Sequence, residues 1–155
     1  MCFDNIVSSP TLISVGSYND FSFEEAILER FPSALIHTYD HTSLPSNNPR
    51  IDFRKQAMTP QLLRGILSYF IKKNTSIDIL KVDCEGCESE LFSNPLILKR
   101  LRSMNTQILI EVHWKALKQK GVYTLWKHFH RAGFAPFHKE ANIMYDPSCV
   151  EYSLI

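Results

Sequence analysis

The chain has 155 residues, 45% of them hydrophobic and 21% charged, which suits one globular domain over residues 1–155 with a real core. A formal net charge of +1 supplies no large electrostatic pull toward nucleic acid or an anionic membrane, so neither is an expected partner. No apolar run is long enough to span a bilayer. The start, MCFDNIVSSP, lacks the basic and apolar regions of a signal peptide, so a cytoplasmic location is expected.

Taken in order, Thr11–Val15 reads as a short buried strand ending at Gly16, followed by a loop over Ser17–Asp20. Ser22 and Glu25 have the spacing of a capping box. Phe23, Ala26, Ile27 and Phe31 then form the apolar face of a helix that stops at Pro32. Ala34–Tyr39 is a second strand with Asp40 at its carboxyl end. His41–Arg50 holds two prolines, two asparagines and two serines and reads as a loop, where a doubly wound fold would usually carry a helix. Ile51–Ala57 is a third, less apolar strand at or near an edge.

Thr59-Pro60 is a strong helix start, with Leu62, Leu63, Ile66, Leu67, Phe70 and Ile71 as the buried face. Ile77, Ile79, Leu80 and Val82 have the pattern of a strand buried on both faces. The helix after it, from about Cys87, is interrupted or split at Pro95. Gln107–Trp114 is another buried strand, carrying Glu111 and His113 near its end. A long helix follows over Lys115–Ala132, stopped by Gly133. Pro136–Tyr145 and Cys149–Ile155 flank the turn sequence Asp146-Pro147-Ser148 and should pair as an antiparallel hairpin beside Gln107–Trp114. Right-handed βα steps closed by a hairpin give an α/β fold. It should be a Rossmann-like, mostly parallel sheet of seven strands, one reversed, with helices on both faces.

In such sheets ligands sit outside the carboxyl ends of the strands. There Gly16 opens the first loop, although the full G-x-G-x-x-G fingerprint is absent. Asp40 lies 24 residues further on, near the spacing of a carboxylate that accepts from ribose hydroxyls. Asp83, Glu85 and Glu88 follow the central strand. Glu88 is accounted for by the preference of acids for helix starts. Asp83, ending an apolar strand, is not.

The stretch LKVDCEGCESELF resembles the K-x-D-x-E-G-x-E signature of FkbM-like methyltransferases and the broader methyltransferase-like group around them. ILIEVHW resembles the strand that follows, and SVGSYNDFSFEE the group's first strand, loop and helix. The resemblance implies a class I S-adenosylmethionine-dependent methyltransferase acting on an oxygen, with a small-molecule or sugar hydroxyl as methyl acceptor. It places Gly16 and Ser17 against the methionine part of the cofactor, Asp40 at the ribose, and Gln56, Ala57 and Met58 at the adenine. Asp83, Glu85, Glu111 and His113 would face the methyl and the acceptor. His113 or Asp83 is then the candidate general base; alternatively the four hold a divalent cation, magnesium or manganese. Ser14 stands where many class I enzymes carry an acid.

Two further readings stay open on sequence alone. One is a non-catalytic copy of the fold that serves as a binding module. The other is a thiol–disulfide protein using the C-x-x-C of Cys84 and Cys87. For the cysteines themselves, the expectation is a reducing compartment and two incidental small residues inside the motif, with Cys2 and Cys149 isolated.

Overall fold

A computed structural model describes residues 6–142 and 149–155. Five parallel strands form first: β1 (Thr11–Val15), β2 (Leu35–Tyr39), β3 (Ile51–Arg54), β4 (Ile79–Val82) and β5 (Gln107–His113). β6 (Pro136–Ala141) and β7 (Cys149–Leu154) complete one seven-stranded sheet in the order β3-β2-β1-β4-β5-β7-β6. β7 is the reversed strand, antiparallel to both β5 and β6. The expected α/β architecture and the C-terminal pair beside β5 are therefore both present. The turn at Asp146–Ser148 lies outside the described residues.

One helix, α1 (Ser22–Arg30), covers one face of the sheet. Ile27 and Leu28 pack there on Leu12, Ile36, Ile51 and Ile79. The opposite face is covered by α2 (Pro60–Lys72), α3 (Glu88–Leu91), α4 (Pro95–Ser103) and α5 (Trp114–Arg131) over the larger core. Residues 41–50 contain no helix, so β2 runs to the edge strand β3 through a loop.

Several local expectations change. The Ser22 capping box does not form, because the Asp20 carboxylate, two residues earlier, takes the Ser22 N–H at 2.9 Å. Phe21 becomes the N-cap without a side-chain bond. The buried face of α1 is Glu24, Ile27 and Leu28, while Ala26 is exposed. At α2 the local signal holds, with Thr59 Oγ1 accepting from the Leu62 N–H at 3.1 Å. Of its expected face, Leu63, Leu67 and Phe70 are buried and Ile71 is 47% exposed. Asn94 and Pro95 split the helix after β4 into two, because Pro95 has no N–H to donate to the preceding turn. Trp114, expected in the strand, instead opens α5, which kinks at Lys118 (φ 55°).

Candidate active site

The carboxyl ends of β1 and β4 are fused by backbone. The Asp83 N–H donates to Val15 O at 2.8 Å. Gly16, at φ 84°, lies so close to Asp83 that a Cβ there would stand 1.7 Å from its carbonyl oxygen. Any side chain at Gly16 would force the two loops apart. Lys81 Nζ donates to Gly16 O at 2.8 Å and lies 3.9 Å from Asp83 Oδ2, so one ammonium ties the first loop to the acid.

A cleft of ≈ 400 Å³ opens over these ends, within the size range of small-molecule sites. Gly16, Ser17, Asp40, Ala57, Met58, Asp83 and Glu85, all singled out from sequence, line it together with Tyr18, Tyr39 and Thr42. Gln56 does not line it and is exposed.

Asp40 is almost wholly engaged by its own chain. Oδ2 accepts from the N–H groups of Ser17 (2.8 Å) and Tyr18 (3.0 Å) and the hydroxyls of Ser17 (3.1 Å) and Ser43 (2.6 Å). Oδ1 accepts from Thr42 N–H (2.7 Å), Thr42 Oγ1 (2.6 Å) and Ser43 N–H (3.1 Å). Burial favours the protonated acid, but the bonds from Ser43, Thr42 and Ser17 outweigh it and hold the carboxyl far below its ordinary range. Asp40 is thus the clasp of the first loop, and a ribose would share it only by turning away a Ser or Thr hydroxyl. Asp40→Asn is expected to destabilise the fold by about 3 kcal/mol, since an amide presents a donor to donors. The wild-type contribution should be full above about pH 4 and fade as pH falls below it. Thermal melts of both proteins between pH 3 and 7 check this.

The second group gathers on His113, which is 5% exposed. Its Nδ1–H donates to Glu88 Oε1 at 2.5 Å. Its Nε2 lies 3.4 Å from Glu85 Oε2 and 3.8 Å from both Asp83 Oδ1 and Glu111 Oε2. Burial works against the charged ring, but the Glu88 bond and the charges of Glu88, Glu85 and Glu111 outweigh it and raise the pKa to about 9. At neutral pH the ring is an imidazolium with no lone pair to accept a proton. Burial pushes the Asp83 carboxyl up to about 6, with Glu111 adding to the push and Lys81 and His113 opposing it.

The four expected residues do converge, and the structure adds a fifth. Glu88, read from sequence as an ordinary helix-start acid, is fully buried. The signal was in the motif, whose first and last positions are Lys81 and Glu88. Cys149 was also set aside as isolated, yet β7 pairs it with His113 across the sheet.

Cys84 and Cys87 are joined in a disulfide, so they are not incidental. Both line the cleft, and the bridge closes the turn in which Glu85 (φ 55°) and Gly86 (φ 111°) hold left-handed conformations. Alkylation of unreduced protein should leave both thiols unmodified. Cys84→Ser with Cys87→Ser should cost about 2 kcal/mol, the chain-entropy value for so short a loop, and weaken ligand binding in the cleft. Mass spectrometry and denaturant titration check the two parts.

A second cleft of ≈ 210 Å³ abuts the first, lined by Lys81, Glu111, Glu140, Glu151 and Ser153 among others. Asp83 is the residue shared by both.

A family profile described as "Methyltransferase domain" matches residues 7–155. Among solved structures, the fibrillarin pre-rRNA processing protein of Methanococcus jannaschii is similar over 96% of this chain and 66% of that one, with TM-score 0.63 and 7% identity. The bifunctional kinase-methyltransferase WbdD is similar over 95% of this chain and 34% of its own, with TM-score 0.59 and 12% identity. The 16S rRNA (adenine(1408)-N(1))-methyltransferase of Catenulisporales acidiphilia is similar over 96% and 85%, with TM-score 0.52 and 13% identity. This chain thus spans about two thirds of the fibrillarin and one third of WbdD. At these identities the likeness is one of fold. No curated protein matches the sequence. No helix among the described residues is long and apolar enough to cross a membrane.

Proposed function

The chain belongs to the methyltransferase domain family, and from that premise we propose that it methylates a hydroxyl of a small molecule or sugar, in the manner of the FkbM-like group. The observation that carries this reading is Asp83, standing at the junction of the two clefts with a pKa of about 6. The larger cleft suits the cofactor. The smaller one, with Glu111, Glu140 and Glu151 along its wall, offers the acceptors that several hydroxyl groups need.

S-adenosylmethionine, when bound, supplies an electrophilic methyl on sulfur. Asp83 would accept the proton of the acceptor hydroxyl, whose oxygen would take the methyl while S-adenosylhomocysteine would be the product left behind. The positive charge of His113 opposes the upward push that burial gives Asp83, and in this reading the ring takes no part in proton transfer. Lys81 and the Cys84–Cys87 bridge hold Asp83 in place, so positioning supplies much of the rate.

Asp83, Glu85 and His113 also offer ligand atoms within 4.8 Å of one another. A divalent cation is the second reading: Asp83, Glu85 and neutral His113 would hold it, Glu88 would steady the ring through Nδ1, and the ion would lower the pKa of the acceptor hydroxyl. The two readings part in one assay. Production of S-adenosylhomocysteine with polyol acceptors should survive exhaustive EDTA treatment if Asp83 is the base, and should stop if an ion activates the hydroxyl. Absence of turnover with any hydroxyl acceptor by a protein that binds the cofactor would sink the O-methylation reading and favour a binding module.

A further inference from the structure

Away from the acidic edge, a separate cleft of ≈ 410 Å³ lies between α4 and α5. Its floor is apolar, with Leu98, 1% exposed, and Ala132. Its other walls carry Lys99, Arg102, His128 and Arg131, and no acid lines it. Lys99 and Arg102 are three residues apart on α4, as are His128 and Arg131 on α5, so each pair lies on one helix face. Among the described residues, no carboxylate forms an ion pair with any of them. The neighbouring Arg100 is different, because it donates to Ser68 Oγ at 2.8 Å and Arg64 O at 3.3 Å.

Two of the cleft's polar groups are ordered without being neutralised. The Arg102 guanidinium stands 5.9 Å from the Phe134 ring centre, a contact that orients it and leaves its charge intact. His128 donates Nδ1–H to Phe92 O at 3.1 Å, which fixes the ring and leaves Nε2 as its other polar atom. Helix ends explain part of the pattern, since cations are favoured in the last turn. Arg102 ends α4, and His128 and Arg131 end α5. That explanation does not reach Lys99, which lies in the middle of α4, or the apolar floor between the charges.

We propose that this cleft binds a small organic anion, a phosphate or sulfate monoester whose apolar body rests on Leu98 and Ala132. Arg102 and Arg131 present planar forks that match two oxygens of such a group, and Lys99 adds a point charge. Three neighbouring cations repel one another, and a bound anion turns that repulsion into attraction. The site shares no lining residue with either cleft at the acidic edge, so it stands apart from the methyl-transfer reading.

Phenyl phosphate, phenyl sulfate and inorganic phosphate are the probes, each titrated into the full chain at low salt and followed by amide chemical shifts. Phenyl phosphate should move amides of residues 95–102 and 128–134 in a saturable way, and should bind about tenfold more tightly than inorganic phosphate. R102E with R131E should weaken it at least about tenfold, with a melting temperature lowered by only a few degrees, because both side chains are exposed but two favourable helix-end charges are reversed. Phenyl sulfate binding equally well would assign the site to monoanions as well as dianions, still within the proposal. Shifts spread over all basic surface positions, no saturation at millimolar probe, or full affinity in the R102E/R131E protein would overturn it. Equal affinity for inorganic phosphate would overturn the role given to the apolar floor.

Discussion

Asp83→Asn is expected to lower methyl transfer by about a hundred- to ten-thousand-fold, the usual worth of a positioned general base, while cofactor binding persists. Asparagine keeps the shape of the side chain and cannot take a proton. The pH dependence should carry the same message. Activity should rise through about pH 6, where Asp83 ionises, and fall above about pH 9, where His113 loses the charge that holds the cluster together. These limbs belong to the coupled cluster, not to either residue alone. The fold should not suffer. A carboxyl whose pKa is raised in the folded state binds protons more tightly there than when unfolded, so its ionised form weakens the fold as pH rises from about 4 through 6. Removing the charge should leave the protein as stable at pH 7 or more so. If Asp83 were instead a structural anchor, the variant would melt lower and keep its activity.

His113→Gln should have the largest effect on stability. It leaves Glu88, fully buried and with Oε2 unbonded among the described residues, beside a neutral amide. Removing one partner of a buried ion pair costs about 3–5 kcal/mol, which for a protein of this size lowers the melting temperature by about 10 °C. Adding Glu88→Gln should recover much of the loss, because the stranded charge goes with it. The linkage has a definite sign. With a folded pKa of about 9 against 6.5 unfolded, the His113 contribution is complete below about pH 6.5. It is lost as pH rises through about 9. Melts from pH 6 to 10 should show that slope in the wild type and its absence in the double variant.

Much of this arrangement was legible because the signals were local and repeated. Apolar runs marked β1, β2, β4 and β5, and Thr59-Pro60 marked α2. The missing helix at residues 41–50 was plain from composition. What stayed hidden depended on partners distant in sequence. Glu88 reads as a helix-start acid until His113, 25 residues on, is placed against it. Asp40 reads as a ribose ligand by spacing, yet its oxygens are taken by Ser17, Tyr18, Thr42 and Ser43. The sequence leaves the general base open between Asp83 and His113, and the choice of Asp83 proposed above rests on burial and charge, which the fold sets. Ser22 failed as a cap because a stronger acceptor, Asp20, stood two residues away; here competition between local signals decided the outcome.

The central claim is that the cleft over β1, β2 and β4 is a cofactor site whose edge is Asp83. Calorimetric titration of the folded protein with S-adenosylhomocysteine, paired with amide shift mapping, tests it most directly. Saturable binding with shifts at Gly16–Tyr18, Tyr39–Thr42, Met58 and Asp83–Cys87, retained in Asp83→Asn, is the expected result. No heat and no shift at millimolar ligand, in a sample that melts cooperatively, would contradict it.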